Sequence, residues 1–288
     1  IPLILTSLFL LGFFIIIFFA LGYFLFFMFR TRGREERSLA STLFEIAVPR
    51  DNEIKIDAME QVFGTLGALK KSGWKMKFST QPVISFEIVA KKEDIHFYVW
   101  TSSFFRNLVE SQFYAQYPGI EIFEVEDYTN KTPYALPNSD WKLWGAEFTL
   151  KEADAYPIKT YVSYGLEDTG IKEEEKSDPL TATLEYLGTL RPGEQIWVQI
   201  LVQATRKRFR KPGTWFGKQD WRGNAQALVE KLMKRDKAKL TVEDGGSLGA
   251  LLLSPGERRV VEELERSVSK LGFDCGIRVI YLAKENLY

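Results

Sequence analysis

His96 and Cys275 are the only histidine and the only cysteine in the 288 residues. A structural zinc site takes four Cys or His ligands, so this pair cannot supply one. No stretch has the ligand spacing of a loop for a hard cation either. His96 stands among Tyr98 and Trp100 in an alternating run and reads as a strand residue, not a general base. Cys275 falls on an apolar strand face with Phe273, Ile277, Val279 and Tyr281, where a buried, inert thiol is expected. No Gly-x-Ser-x-Gly elbow presents a nucleophilic serine. The stretch from Gly64 to Ser72 has a passing likeness to a phosphate loop. Two residues separate Gly67 from Lys70, however, whereas that loop needs lysine directly after its last glycine. The cluster Gly245, Gly246 and Gly249 reads as a flexible link. The acidic runs Glu124 to Asp127 and Glu173 to Asp178 read as solvated edges or caps. Neither catalytic residues nor a cofactor nor a metal is expected, and an enzyme built on unrecognised carboxylates is the weakest of the functional readings.

The most polarised stretch is basic. Arg206, Lys207, Arg208, Arg210, Lys211, Lys218 and Arg222 lead a run that continues to Lys239, opposed only by Asp220, Glu230 and Asp236, with Phe209, Trp215, Phe216 and Trp221 interleaved. Trp221, Ala225, Leu228, Val229 and Leu232 share one helical face. Three readings stay open: contact with an anionic membrane leaflet, contact with nucleic-acid phosphates with aromatics stacking on bases, or a solvated insertion packed by its apolar face. The candidate contacts to an anionic partner are Arg206, Lys207, Arg208, Arg210, Lys211, Trp215, Lys218, Trp221 and Arg222. Lysine plus arginine equals aspartate plus glutamate at 38 each, so any such function is local.

The elements that would position these groups begin with a greasy rod. From Leu3 to Phe29 no residue is charged, and a helix of that length reaches about 40 Å, enough for a hydrocarbon core about 30 Å thick. A cleaved signal peptide, the competing reading, has a shorter apolar part ending at small residues; here Phe24, Phe26, Phe27, Met28 and Phe29 run into Arg30. Arg30, Arg32, Arg34 and Arg37 follow at once and favour the cytoplasmic side. The lone cysteine fits a reducing compartment. The sequon Asn130-Lys131-Thr132 points the other way, but such triplets arise by chance, and the arginines carry more weight. The expectation is a single-pass protein of the cell membrane with residues 1–29 as the span, 30–42 as a basic tether and the remainder cytoplasmic.

Beyond the tether the periodicities switch between two and about 3.6. Leu43 to Val48 predicts a strand; Ile56, Met59, Val62, Phe63, Leu66 and Leu69 a helix; Val83 to Ala90 and Ile95 to Trp100 a hairpin; Phe105, Leu108, Val109 and Phe113 a helix; Ile120 to Val125 a strand. That β-α-β-β-α-β order over 43–128 is the ferredoxin-like arrangement, four antiparallel strands with two helices on one face. The opposite face either meets a second layer or presents its aromatics to bases, though the glycine-aromatic signature of an RNA-binding strand is absent. Over 129–288 a second α+β unit is expected. Its strands lie near Leu143 to Leu150, Ile158 to Tyr164, Ile196 to Gln203 and Phe273 to Tyr281, its helices follow Asp178-Pro179 and run from Val260 to Leu271, and 206–257 is the basic insertion. The fold class is α+β behind one transmembrane helix.

Three stretches carry a family resemblance. They are the leading span with the strand Val83 to Val89, the passage Phe105 to Tyr128 centred on Val109 to Pro118, and Asp178-Pro179-Leu180 followed by Pro192 to Gln199. Together they resemble the N-terminal region of membrane-anchored conjugative-transfer ATPases, similar to the coupling proteins of type IV secretion systems. The resemblance covers most of the chain and rests on fold-maintaining segments, not on a catalytic motif. It implies a non-catalytic assembly module whose partners are the lipid bilayer and an ATPase motor, with a homo-oligomer and DNA or anionic lipid as further partners. The sequence has neither the phosphate loop nor the acidic strand end of such a motor. It starts at Ile1 without Met, so the expectation is a piece of a longer protein whose ATPase follows Tyr288; a separate accessory subunit is the alternative. The second functional reading is a standalone membrane protein binding nucleic acid or anionic lipid through 206–239.

Overall fold

The structure, a computed structural model, describes residues 2–49, 54–68, 81–92, 94–131, 140–166, 178–205, 209–210, 218–219, 221–237 and 253–287. It opens with helix α1, Pro2–Leu39. Its window Leu10–Met28 is 19 residues long, has mean hydropathy 2.7 and buries none of its length, so α1 is long and apolar enough to cross a membrane. Where the sequence suggests a tether over 30–42, the helix instead continues to Leu39 and only Ala40 precedes strand β1, Ser41–Ala47. The reason is local: the Arg30 to Leu39 stretch has no proline, and Arg, Glu and Leu are good helix formers, with Gly33 the one weak position.

Helix α2 (Asp57–Ala68), strands β2 (Ile84–Lys91) and β3 (Asp94–Ser102), helix α3 (Arg106–Gln116) and strand β4 (Glu121–Val125) follow. The chain then forms β5 (Trp141–Phe148), α4 (Thr181–Gly188), β6 (Glu194–Ala204), a short β7–β8 pair (Phe209–Arg210 with Lys218–Gln219), α5 (Trp221–Lys237), α6 (Pro255–Ser269) and β9 (Phe273–Lys284). Seven strands make one antiparallel sheet in the order β4-β1-β3-β2-β6-β9-β5. The first four reproduce the ferredoxin-like order. The sheet does not stop at the boundary expected near residue 128, because β6 pairs with β2 along eight residues.

Alternation puts Phe44, Ile84, Phe86 and Val99 on one face, where α2 and α3 pack through Val62, Leu66, Val109 and Phe113. On the same face α4 packs through Leu184 and Leu187 onto Ile88, Ile196, Val198, Val279 and Tyr281. The opposite face buries Leu43, Val89, Tyr98, Trp197 and Leu282 beneath Tyr128, which lies in a short 3-10 turn, Tyr128–Lys131. Tyr98 is therefore buried, not presented to a base. Helix α6 starts at a capping box, Ser254 Oγ accepting from Glu257 N while Glu257 reaches back to Ser254 N, with Pro255 in the first turn. It buries Val261 and Leu264 and packs against α5, in which Ala225 is buried.

Two further expectations need correction. Ile158 to Tyr164 forms no strand: Tyr161–Tyr164 is a 3-10 turn. Thr160 and Ser163 make a reciprocal cap, and Gly165 closes the turn with φ 69°, a conformation glycine adopts at no steric cost. Cys275 lies on the expected face but is exposed. It stands between Phe273, which meets Phe63 of α2 at 5.6 Å, and Val279, which α4 covers, so neither helix shields it.

Candidate functional site

One register line crosses the whole sheet on the face away from the helices. Its Cα partners are Phe123, Glu45, Tyr98, Glu87, Gln199, Arg278 and Glu147, one from each strand in spatial order. Four of the seven carry a carboxylate or a guanidinium, although a sheet interior ordinarily takes apolar residues. Glu87 and Gln199 are both buried. A buried polar group is costly unless bonded, and here each is. The Tyr128 hydroxyl donates to Glu87 Oε2 at 2.6 Å and accepts from Gln199 Nε2 at 2.7 Å. Arg278 Nε donates to Gln199 Oε1 at 2.6 Å. The result is a directed chain of three hydrogen bonds from a guanidinium to a buried carboxylate. Burial first, and the Glu87 charge second, hold the Tyr128 phenol far above its ordinary range, so it stays protonated as a donor.

His96 extends this line toward β1. Its Nδ1 meets Glu45 Oε1 at 2.6 Å and its Nε2 meets Asp94 Oδ2 at 3.0 Å. Its ring stacks on Tyr98, which in turn stacks on Tyr128, and Tyr128 meets the Trp197 ring edge-on at 4.9 Å. A carboxylate stands at each ring nitrogen of His96, so both nitrogens are engaged within the protein. Burial, with Glu45 and Asp94 adding to it, pushes the Tyr98 phenol up to about 12. Chemically, the arrangement clasps strands together and pins the Tyr128 turn; it holds no poised nucleophile.

On the helix face a second carboxylate is equally committed. Arg191 donates to Glu194 from its backbone N at 2.7 Å, from Nε at 3.2 Å and from Nη2 at 2.8 Å, and Tyr281 Oη adds a bond at 2.9 Å. These bonds, those from the Arg191 side chain foremost, hold the Glu194 carboxyl down to about 2. Glu60, bound by Lys270 and by Tyr161 Oη, is also lowered, chiefly by the Lys270 bond. Between α3 and β6 an apolar cavity of about 340 Å³ opens over Phe86, Ile88, Phe97 and Ile200, walled by Met59 and Phe113. Among the described residues no group of three or more His, Cys, Asp or Glu could hold a metal ion.

The residues singled out in the sequence are dispersed. Arg206, Lys207, Arg208, Lys211 and Trp215 lie outside the described residues; Arg210 and Lys218 face each other in the β7–β8 pair. Trp221 and Arg222 turn inward: Arg222 Nη2 donates to Lys270 O at 2.6 Å, and the indole lies against Gly272. Arg222 Nε and Trp221 Nε1 are buried and have no partner among the described residues. Arg30, Arg32, Arg34 and Arg37 lie along the last turns of α1. Gly64 and Gly67 are interior to α2, where no phosphate loop forms. The polar line was missed in the sequence; its visible signal was Glu87 and Gln199, each flanked on both sides by apolar residues within its strand.

A family profile described as Domain of unknown function (DUF8128) matches residues 34–287. No curated protein and no solved structure matches the chain.

Proposed function

We propose that this chain, which belongs to the DUF8128 family, is a non-catalytic, membrane-tethered assembly module of a translocation ATPase of the type IV secretion or conjugation kind. The observation that carries the reading is α1. Its apolar window leaves Phe14, Ile16, Phe18 and Phe19 largely exposed, with Phe14 at 65% and Phe18 at 73%. Burial of such a side chain is worth about 1.5–3 kcal/mol each, and a bilayer supplies it. Arg30, Arg32, Arg34 and Arg37 beyond the window support a cytoplasmic side for the sheet, by the bias of basic residues near a span. The assembly role and the motor partner come from the family resemblance of Val83 to Val89, Val109 to Pro118 and Pro192 to Gln199. The occupied state of His96, Glu194 and Glu87, each engaged by protein partners, supports the non-catalytic part.

The test is ATP hydrolysis by the purified full chain in detergent. No turnover above buffer is expected, and robust turnover defeats the reading. The rival, a standalone protein binding nucleic acid or anionic lipid through 206–239, draws on the density of basic residues there. It requires that reversing Arg206, Lys207, Arg208 and Lys211 weaken binding to a DNA oligonucleotide or to phosphatidylserine vesicles and flatten its salt dependence.

A further inference from the structure

We propose that strand β5 is a docking edge for a second copy of this chain, pairing antiparallel with the β5 of its partner. The sheet has two edges. Strand β4 is short, five residues, with Glu121 and Glu124 along it, and Arg106 ties Glu124 down at 2.6 Å. Short and charged edges resist pairing. Strand β5 runs eight residues, bonds β9 along one side, and has no partner strand on the other among the described residues. Lys142 and Glu147 are its only charges, and it carries Leu143 and Trp144, each 51% exposed, and Phe148, 64% exposed, with Leu150 at 58% just beyond. From Lys142 to Phe148 the outer backbone edge meets no strand among the described residues, and such an edge beside exposed aromatics is a template for another strand.

Self-pairing is favoured by the pattern of β5 itself. In a continuous antiparallel sheet the two-fold axis stands perpendicular to the sheet, so opposed residues share a face. Centred on Ala146, the pairing sets Trp144 against Phe148 of the other copy twice over, and Gly145 against Glu147, with no like charges directly opposed. Aromatic cross-strand pairs contribute roughly 0.2–1 kcal/mol each. Half-exposed Trp144, Phe148, Leu143 and Leu150 would bury about 400 Å² per copy, taking about 200 Å² for an aromatic side chain. Two copies then bury about 800 Å², below the roughly 1,200 Å² of stable complexes. Confinement to one bilayer raises the effective concentration and makes a weak edge sufficient. This part rests on the membrane tether proposed above. Entry of both α1 helices into one bilayer sets the two-fold axis along the membrane normal.

The experiment uses the full chain in phosphatidylcholine vesicles with Cys275→Ser, which removes the single native thiol. Ala146→Cys places two thiols opposite each other, at the roughly 4.5–5.5 Å Cβ separation of opposed residues, near disulfide reach. Under mild oxidation it should form a covalent dimer several-fold faster than Phe123→Cys on the other edge. Adding Trp144→Asp and Phe148→Asp should return it to the Phe123→Cys rate. Equal rates for the two cysteines, or crosslinking indifferent to the aspartates, overturns the pairing. Flotation of the same vesicles reports on the tether separately. Protein that floats without crosslinking refutes the pairing alone, and protein that fails to float refutes the tether together with the confinement the pairing needs.

Discussion

Replacing Tyr128 by phenylalanine removes one oxygen and leaves the ring. The ring contacts with Tyr98 at 5.4 Å and with Trp197 at 4.9 Å survive, so the change isolates the hydroxyl. That oxygen donates to the buried Glu87 carboxylate and accepts from Gln199 Nε2. A hydrogen bond to a charged group contributes about 1.5–3 kcal/mol, and a buried group left without its partner costs about 1–3 kcal/mol. Since Tyr128 is only 3% exposed, water cannot readily replace the lost bonds. Tyr128→Phe should therefore lower stability by about 3 kcal/mol, or about 6–12 °C in Tm for a domain of this size. The assay is thermal or urea unfolding of the full chain in detergent, followed by tryptophan fluorescence. Glu87→Leu combined with Tyr128→Phe should cost less than the two single changes added, by about 1–2 kcal/mol, because the pair shares one bond. A Tyr128→Phe protein within about 0.5 kcal/mol of the parent, the range of uninvolved surface changes, would refute the reasoning and place the hydroxyl in water.

Glu194 supplies a pH dependence. Its carboxyl, ordinarily near 4.5, is held to about 2 in the fold; a depressed carboxyl stabilises fully above the ordinary value and loses that contribution as pH falls from about 4.5 toward about 2. Because Arg191 is 62% exposed, screening reduces the effect to roughly 1–2 kcal/mol, and Glu194→Gln should flatten the acid limb of the unfolding curve by that much. A Cβ at Gly272 would stand 2.0 Å from Trp221 Nε1, whereas one at Gly276 meets nothing. Gly272→Ala should therefore cost about 1–3 kcal/mol by overpacking and Gly276→Ala almost nothing, in the same unfolding assay. Phe18→Arg in the middle of the apolar window of α1 should oppose membrane insertion by about 2.5–3.5 kcal/mol, read as loss of material floating with vesicles.

Local order was legible because each element carries its own period. The stripe through Val62 and Leu66 and the alternation through Ile84 and Phe86 both became the elements they predicted, facing each other in one core. The strand expected over Ile158 to Tyr164 failed because alternation was read without the stronger local signals, the Thr160–Ser163 cap and Gly165. Cys275 was placed on the right face yet left uncovered, since which face a residue takes is local while what covers it depends on where α2 and α4 end. The polar line was illegible for the same reason. Alternation turns Glu87 and Gln199 to the face opposite their apolar sequence neighbours, but nothing nearby in the chain specifies that they stand side by side. Their register spans more than a hundred residues of intervening chain, and the hydroxyl that joins them comes from Tyr128, in a turn with no periodicity of its own.

The position at which α1 joins the sheet decides what α1 can contribute to self-association. α1 enters through Ala40 at β1, whose start is fastened to β3 by Ser103 N donating to Ala40 O at 2.8 Å and by the Thr42–Ser103 hydroxyl pair at 3.1 Å. In the order β4-β1-β3-β2-β6-β9-β5, five strand spacings separate β1 from the β5 edge, or about 24 Å at about 4.8 Å each. Two copies joined through β5 then enter the bilayer about 50 Å apart, well beyond the 8–10 Å at which helices pack. Their α1 helices therefore do not touch, and nothing in α1 suggests that they should. Gly12 and Gly22 are ten residues apart, not the four of a close-packing glycine pair. Replacing Leu10 to Met28 by an all-leucine span of equal length should thus leave flotation and the Ala146→Cys crosslink unchanged. A crosslink lost while flotation persists would mean that copies meet through α1, and that β5 follows rather than leads.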